Sequence, residues 1–187
     1  MSRRQGGAEV EITMLFADVR GSTTLAEGMT PAEFRNLINR FYKASSAELI
    51  QSEAIIDRLV GDEVVGYFVP GLAGREHARK AIESAKAILD VTGHGDSEGP
   101  WIPVGAGVHT GTAYLGTVGS EEGVTDFTAL GDAVNAAARL ASMAATGELL
   151  ISEAACSAAA MDIHGLEERN LNLEGRSEPL KVVVIKL

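Results

Sequence analysis

Two aspartates stand where apolar segments of this chain end. Asp18 follows the apolar run 12–17 and precedes a loop of mostly small residues, and Asp62 lies between two further apolar runs, directly after Gly61. Mg²⁺ is commonly held by one or two carboxylates together with substrate phosphates, and two such ions can catalyse in-line displacement at phosphorus. Each aspartate alone fits a simpler interpretation better, in which Gly61 and Asp62 form a hairpin turn and Asp18 ends a strand.

A segment further along the chain adds two polar residues to this pattern. Asn135 and Arg139 are separated by one helical turn in an alanine-rich segment, so they share one face of a helix. The small alanines around them allow the helix to approach another surface closely. The simpler alternative is a surface asparagine and a salt-bridged arginine on an amphipathic helix.

Four segments together resemble the class III nucleotidyl cyclases, which are the adenylate and guanylate cyclases. They are residues 16–23, 60–65 and 104–111 and the helix that carries Asn135 and Arg139, in the order and spacing of the family. Each segment alone is a weak signal, whereas four in register are specific. The resemblance covers residues 9 to 187. It implies an α+β fold, with a ferredoxin-like βαββαβ core, added strands and a mostly antiparallel sheet flanked by helices.

The resemblance also implies a reaction, that of a phosphorus–oxygen lyase. A ribose 3′-oxygen attacks the α-phosphorus of a nucleoside triphosphate and expels pyrophosphate. Two Mg²⁺ or Mn²⁺ ions are then held by Asp18 and Asp62, with Val19 beside them; one ion lowers the pKa of the 3′-hydroxyl and the other holds the triphosphate. Arg139 would stabilise charge on the α-phosphoryl oxygens in the transition state, and Asn135 would orient the ribose.

The triphosphate is expected to lie against a short loop and one further cation. Small residues allow a phosphate to approach backbone N–H groups closely, and the loop expected to do this consists of Val19, Arg20, Gly21, Ser22 and Thr23. Its simpler interpretation is an ordinary connection between a strand and a helix. The family often has a lysine near the position of Arg176, so we expect Arg176 to bind the triphosphate, although it also fits a turn residue.

Arg58 and Thr128 are the residues expected to contact the base. Adenylate cyclases of the family place a lysine four residues before the second metal-binding aspartate, where Arg58 stands, and guanylate cyclases typically place a glutamate there. Arginine can meet adenine N1, but also guanine O6 or N7. Thr128 stands where the partner residue is often aspartate, and its hydroxyl can donate or accept, so it discriminates weakly. ATP is favoured, and GTP stays open.

Three further interpretations stay open beside an active adenylate cyclase. One is a cyclase-like regulatory module without activity, the second a diguanylate cyclase suggested by residues 60–64, and the third a non-enzymatic ferredoxin-like interaction domain. The resemblance places the metal-binding pair on one chain and the Asn135/Arg139 helix on the other. We therefore expect a head-to-tail homodimer with two equivalent composite sites.

Composition sets the broad class. The chain of 187 residues is long enough for one domain with a sizeable core, and its 45% hydrophobic content includes no apolar run near the ~20 residues of a membrane span. Its one cysteine, Cys156, excludes an internal disulfide, is expected to be buried and fits a reducing cytoplasm.

The net charge of −10 argues against nucleic acid or an anionic membrane as partner. Divalent metal reconciles that charge with a triphosphate substrate. His109 is expected to be structural.

Apolar periodicity and turn residues predict the elements that position these residues. Thr30 to Glu33 form a capping box with Pro31 at the first helical position. We expect residues 1–9 to be a short disordered N-terminus and residues 10–187 to be the catalytic domain. The predicted strands are 10–17, a hairpin of 54–60 and 63–69, a second hairpin of 102–109 and 112–118 turning at Thr110–Gly111, and 148–151, 166–173 and 179–186. The predicted helices are 31–52, 74–91 and one from Asp132 that ends before Gly147.

Overall fold

The computed structural model describes residues 6–57, 61–119 and 125–187. Their strands are β1 (Gly7–Val19), β2 (Ile55–Ile56), β3 (Glu63–Phe68), β4 (Val104–Gly119), β5 (Thr125–Leu130), β6 (Glu148–Ser152), β7 (Glu167–Leu171) and β8 (Leu180–Lys186). Their helices are α1 (Ser22–Glu27), α2 (Pro31–Gln51), α3 (Pro70–Ala73), α4 (His77–Val91), α5 (Asp132–Met143) and α6 (Glu153–Ala158). The strands form one sheet in the order β2-β3-β1-β4-β6-β8-β7, with β5 paired to β4.

The sheet is mostly antiparallel, because only the β4–β6 pair among the described strands is parallel. Helices cover both of its faces. This arrangement confirms the predicted α+β class with a mostly antiparallel sheet and flanking helices. None of the helices in the described ranges is long and apolar enough to cross a bilayer.

The central strand β1 is buried on both faces, which explains its continuous apolar sequence. Because side chains alternate along a strand, Leu15, Ala17 and Val19 pack into one cluster with α2 and α4. Ile12, Met14 and Phe16 pack into the opposite cluster, which contains the alanines of α5. The end of β1, where Asp18 lies, is therefore fixed by apolar packing from both sides.

Helix α2 begins where the capping box predicts. The N–H of Thr30 donates to the Glu33 carboxylate at 2.8 Å, and the Glu33 N–H donates to the Thr30 hydroxyl at 3.3 Å. Two backbone donors that the helix cannot satisfy itself are thereby satisfied. The helix then buries Ile38, Phe41 and Leu49 against the sheet.

Helix α5 lies directly on the backbone of β4. A Cβ atom built on Gly107 would be 2.4 Å from the Ala141 nitrogen and 2.7 Å from the Leu140 Cβ. Only glycine fits there, and the alanines of α5 permit the same approach from the other side. The close packing predicted from the small residues is confirmed, and the surface that α5 approaches is the chain's own sheet.

The predicted hairpin at Thr110–Gly111 is wrong, because β4 is one continuous strand through both residues. Thr110 lies opposite Thr13 of β1, and their hydroxyl oxygens are 2.7 Å apart in the core. A Cβ on Gly111 would be 2.8 Å from that of Ala133. The glycine is needed for close contact with α5, and its sequence context imitates a turn.

Several other boundaries differ from the predictions. Strand β1 begins at Gly7, so residues 7–9 belong to the sheet and not to a disordered N-terminus. Helix α5 ends at Met143, and Gly147, with φ of 77°, lies in the connection to β6. Strand β5 and helices α1, α3 and α6 were not predicted. Cys156 is buried, as predicted, and residues 1–5 and 58–60 lie outside the described residues.

Candidate active site

The ends of β1 and β3 bring two acidic segments together. Asp18 pairs in register with Glu63, and the backbone N–H of Val19 donates to the Asp62 carbonyl at 2.9 Å. Asp18, Asp62 and Glu63 are called the carboxylate edge below. Burial raises the pKa of Asp18 above its ordinary value; the Arg20 guanidinium opposes that rise, and the charge of Asp62 adds to it.

Glu63 is a member of this edge that sequence reasoning missed. Burial raises its pKa to about 7, and the charges of Asp18 and Asp62 add to the rise. Alternation along β3 places Glu63 on the same face as Val65 and Tyr67, so the signal was available from the strand pattern. A carboxyl group in this position indicates a concentration of negative charge at the sheet end.

The carboxylate edge fits a hard divalent cation. Carboxylate oxygens are the ligands that Mg²⁺ and Mn²⁺ prefer, and a cationic side chain, Arg20, already lies against Asp18. In the parts of the chain that the structure describes, no group of three or more His, Cys, Asp or Glu side chains is arranged to hold a metal ion. Asp18 and Asp62 would then need further oxygen ligands, which a triphosphate can supply.

The Arg20 side chain is engaged with groups of the protein itself. Its guanidinium contacts the Asp18 carboxylate and donates to the backbone carbonyls of Ser142 at 2.7 Å and Ala144 at 3.3 Å. These carbonyls lie at the carboxyl end of α5, where a positive charge is favourable. Arg20 thus connects the carboxylate edge to the helix that carries Asn135.

Fewer backbone N–H groups of the predicted phosphate loop are available than expected. The N–H of Val19 is engaged with Asp62, and the N–H of Arg20 donates to the Pro103 carbonyl at 2.8 Å. Gly21 has φ of 62° and precedes α1, so Ser22 and Thr23 form the first turn of a helix. N–H groups in a first turn lack acceptors within the helix. Donors for a phosphate are therefore expected at residues 21–23 and not at residues 19 and 20.

A cavity of about 580 Å³ adjoins this turn. Its lining includes Ser22, Thr23, Tyr42 and Asp62, together with apolar side chains of α2. The Tyr42 hydroxyl donates to the Gly61 carbonyl and so fixes the loop before Asp62. We call this space the α2 cavity.

A second cavity, of about 450 Å³, lies beside α5 on the other side of the carboxylate edge. Asn135 lines it together with Asp57, Glu63, Tyr67 and Thr128. Its volume is in the range of small-molecule sites. We call this space the α5 cavity.

Thr128 contacts a residue that sequence reasoning overlooked. Its hydroxyl oxygen lies 3.2 Å from the Asp57 carboxylate, which also accepts from the Tyr67 hydroxyl at 2.8 Å. Asp57 immediately precedes Arg58 in the sequence, and no local pattern distinguishes it. Arg58 itself lies outside the described residues.

Arg139 and Arg176 both lie near the turn before β8. A Cβ built on Gly175 would be 3.7 Å from an Arg139 guanidinium nitrogen. Arg176 forms an ion pair with Asp132 at 2.6 Å, at the start of α5. The structure thus places both cations at the turn that contains Gly175, and Arg176 would have to leave Asp132 to reach a triphosphate.

His109 has structural contacts. It is 5% exposed, and its Nδ1 lies 2.8 Å from the Ser152 hydroxyl. Burial lowers its pKa to about 4, and the Arg176 charge contributes to the decrease. A neutral imidazole hydrogen-bonded in the core agrees with the interpretation from sequence.

Comparisons with known proteins match these features. The family described as the adenylate and guanylate cyclase catalytic domain matches residues 7–186. An adenylate cyclase of Anabaena cylindrica is 33% identical over 69% of this chain and 26% of its own length. The chain spans about a quarter to a third of the length of such curated relatives.

Solved structures give the same result. The guanylyl cyclase Cya2 is 25% identical, with a TM-score of 0.83 over 96% of this chain and 93% of its own. The adenylyl cyclase CyaB from P. aeruginosa, at 24% identity, has a TM-score of 0.84 over 97% of each chain. At that identity the second likeness concerns the fold alone.

Proposed function

The chain belongs to the adenylate and guanylate cyclase catalytic domain family, and we propose that it converts ATP to 3′,5′-cyclic AMP and pyrophosphate. One observation carries the proposal. Asp18 and Asp62 meet at one end of the sheet, and Asp62 lines a cavity together with Ser22 and Thr23, where a triphosphate and its cations can be held. Because the chain spans only part of its relatives, the proposal concerns the reaction of this domain.

In the proposed reaction, Asp18 and Asp62 would hold two Mg²⁺ or Mn²⁺ ions, which would supply Lewis acidity toward the 3′-hydroxyl and the triphosphate. Arg20 has to release Asp18 for this to happen, and its contacts with Ser142 and Ala144 leave it a second set of acceptors. Donors at residues 21–23 would receive phosphate oxygens. Arg139 would meet the α-phosphoryl oxygens with its planar guanidinium.

The nucleoside part of ATP is assigned to the α5 cavity. Asn135 would orient the ribose, and Thr128 and Arg58 would contact the base. The 3′-oxygen would bond to the α-phosphorus as the bond from the α-phosphorus to pyrophosphate breaks, and the 3′-hydroxyl proton would pass to solvent water. GTP is the alternative substrate, since the structural likeness extends to the guanylyl cyclase Cya2.

We assign the two cavities to different sites of a head-to-tail homodimer. Asp62 lines the α2 cavity, whereas Asn135 and Thr128 line the α5 cavity. The metal-binding and the nucleoside-binding residues of one chain therefore need not form the same active site. The β4–β5 pair leaves large apolar side chains exposed, among them Phe127 at 50% and Leu130 at 47%. Such residues are suited to a self-complementary interface with C₂ symmetry.

Product analysis tests the proposal. Incubation of the protein with ATP or GTP and Mn²⁺ should give cyclic AMP and pyrophosphate from ATP. Asp18→Ala and Asp62→Ala should each lower the rate by orders of magnitude while the circular dichroism spectrum is retained. Asp90→Ala, which removes an exposed carboxylate at the end of α4, is the matched control and should keep the wild-type rate. Full turnover in folded Asp18→Ala protein would refute the metal assignment.

A further inference from the structure

The hydrogen bond between Thr128 and Asp57 has a defined direction. A threonine hydroxyl has one proton to donate and two lone pairs to accept, whereas an ionised carboxylate can only accept. At the 3.2 Å separation of their oxygens, the Thr128 hydroxyl is therefore the donor. Its single proton is committed to Asp57, and the rest of the α5 cavity meets only its lone pairs.

Asp57 is itself held in place from two sides. Its backbone N–H donates to the Val65 carbonyl at 3.0 Å, which fixes it beside β3. The Tyr67 hydroxyl donates to the same carboxylate oxygen that Thr128 contacts, at 2.8 Å. Tyr67 is 2% exposed, and burial raises its pKa above the ordinary value, so it stays a donor at neutral pH. The carboxylate oxygen is thus an acceptor of fixed position.

We propose that Asp57 is a positioning residue that makes Thr128 an acceptor, and that this polarity selects a purine with an amino group at C6. Adenine carries a donor at that position, whereas guanine carries an acceptor. A hydroxyl that presents only lone pairs accepts a hydrogen bond from the adenine amino group. Opposite the guanine carbonyl it faces another acceptor, so no hydrogen bond forms. The inference rests on the proposed function, because it assigns the base to the α5 cavity, and it names the device that discriminates ATP from GTP.

Selectivity of this kind depends on leaving a buried polar group unpaired in the wrong complex. Without Asp57, the Thr128 hydroxyl could rotate and donate to a C6 carbonyl as readily as it accepts from an amino group. The same threonine would then discriminate weakly. Discrimination between the two purines therefore depends on the Asp57–Thr128 pair and not on either residue alone.

Binding of non-cyclising nucleotides is the test. 3′-Deoxy-ATP and 3′-deoxy-GTP lack the attacking hydroxyl, so their dissociation constants, measured calorimetrically with Mn²⁺, report recognition without turnover. The wild type should prefer 3′-deoxy-ATP. Asp57→Ala should lower that preference by about tenfold, which corresponds to one hydrogen bond. Asp57→Asn, whose amide oxygen can accept from both hydroxyls, should restore most of it.

Two further variants separate positioning from direct contact. Thr128→Val should lower the preference as Asp57→Ala does, and the double variant should be no worse than either single one. Tyr67→Phe removes one of the two hydroxyls that hold Asp57, so it should lower the preference by less than Asp57→Ala does. Asp90→Asn, which changes an exposed carboxyl on α4, is the matched control and should stay within about twofold of wild type. A further loss in the double variant would mean that Asp57 contacts the base itself and would overturn the positioning role.

The remaining outcomes are also decisive. An unchanged preference in folded Asp57→Ala protein, or no recovery in Asp57→Asn, would overturn the inference while leaving the cyclase proposal intact. If neither nucleotide binds the wild type, both proposals fail. Should Asp57→Ala not fold, 3′-deoxy-ITP tests the polarity in the wild type, because its C6 carbonyl should weaken binding about tenfold relative to 3′-deoxy-ATP; equal affinities would contradict the inference.

Discussion

The carboxylate edge and the α5 cavity compensate their acidic groups in different ways. At the edge, Asp18, Asp62 and Glu63 lie near the guanidinium of Arg20. Burial raises the pKa of Asp18 and of Glu63, and the charges of neighbouring carboxylates add to both rises. In the cavity, the Asp57 carboxylate accepts hydrogen bonds from the hydroxyls of Tyr67 and Thr128. The edge is therefore suited to a cation that arrives with the substrate, whereas the cavity holds its polarity before any ligand binds.

The largest expected effect tests whether the carboxylate edge and the α5 helix of one active site come from different subunits. Asp18→Ala damages the edge and Arg139→Ala damages the α5 helix, so each homodimer should be nearly inactive. After mixing and subunit exchange, half of the dimers are mixed and each contains one intact site, so about a quarter of the wild-type rate should return. Cyclic AMP production before and after mixing is the measurement.

The control for this experiment is a mixture of two edge variants, Asp18→Ala and Asp62→Ala. Both damage the same half of the site, so no heterodimer contains an intact one and no activity should return. An absence of recovery in the first mixture, despite exchange shown by differently tagged subunits, would mean that each site is formed within one chain.

The second prediction concerns Arg20, which competes with a metal ion for Asp18. Arg20→Ala should lower the dissociation constant for Mn²⁺ by about threefold to tenfold, since a unit charge is removed from the edge. Arg20→Lys keeps the charge and should remain close to wild type. Mn²⁺ titration followed by electron paramagnetic resonance, without nucleotide, measures this directly. A weaker Mn²⁺ affinity in Arg20→Ala would show that Arg20 organises the edge and does not compete.

The third prediction uses the pKa of Glu63. Folding raises the pKa of this carboxyl from 4.5 to about 7. Between these pH values the unfolded state releases the proton more readily than the folded state does, so the free energy of unfolding falls as pH rises from 4.5 to 7. Glu63→Gln removes this loss of stability. It should raise the free energy of unfolding by about 1–2 kcal/mol at pH 8, after allowance for solvent screening, and leave it nearly unchanged at pH 4.5.

Urea denaturation of the metal-free protein at the two pH values checks this expectation. Asp90→Asn, an exposed carboxyl on α4, is the control and should show no such difference. Equal gains for Glu63→Gln at both pH values would point to a packing effect and away from charge.

The same contrast explains what the sequence could and could not reveal. The edge was predictable because Asp18 and Asp62 each end an apolar segment, and such positions are local features. Helix α5 was predictable from its alanines and the spacing of Asn135 and Arg139. The α5 cavity was not, because Asp57 and Thr128 are 71 residues apart and meet only through the sheet.

The failed prediction at Thr110–Gly111 has a related cause. A Thr–Gly pair between apolar segments is typical of a turn, yet the contacts that keep β4 extended come from Thr13 and Ala133, on other elements. The local sequence favours a turn, whereas the tertiary contacts favour an extended strand, and the strand is what forms. Glu63 lay between these cases, since strand alternation alone would have placed it beside Asp18.

The smallest expected effect comes from the α5 cavity. Tyr67→Phe removes one hydrogen bond to Asp57, so it should lower the free energy of unfolding by about 1 kcal/mol. Because burial holds the pKa of Tyr67 above its ordinary value, the loss should be the same at pH 5 and pH 8. That constancy is the opposite of the behaviour expected for Glu63→Gln, although both side chains line one cavity. Denaturation of both variants at both pH values compares them, and a Tyr67→Phe effect that grew with pH would mean that the cavity, like the edge, carries uncompensated charge.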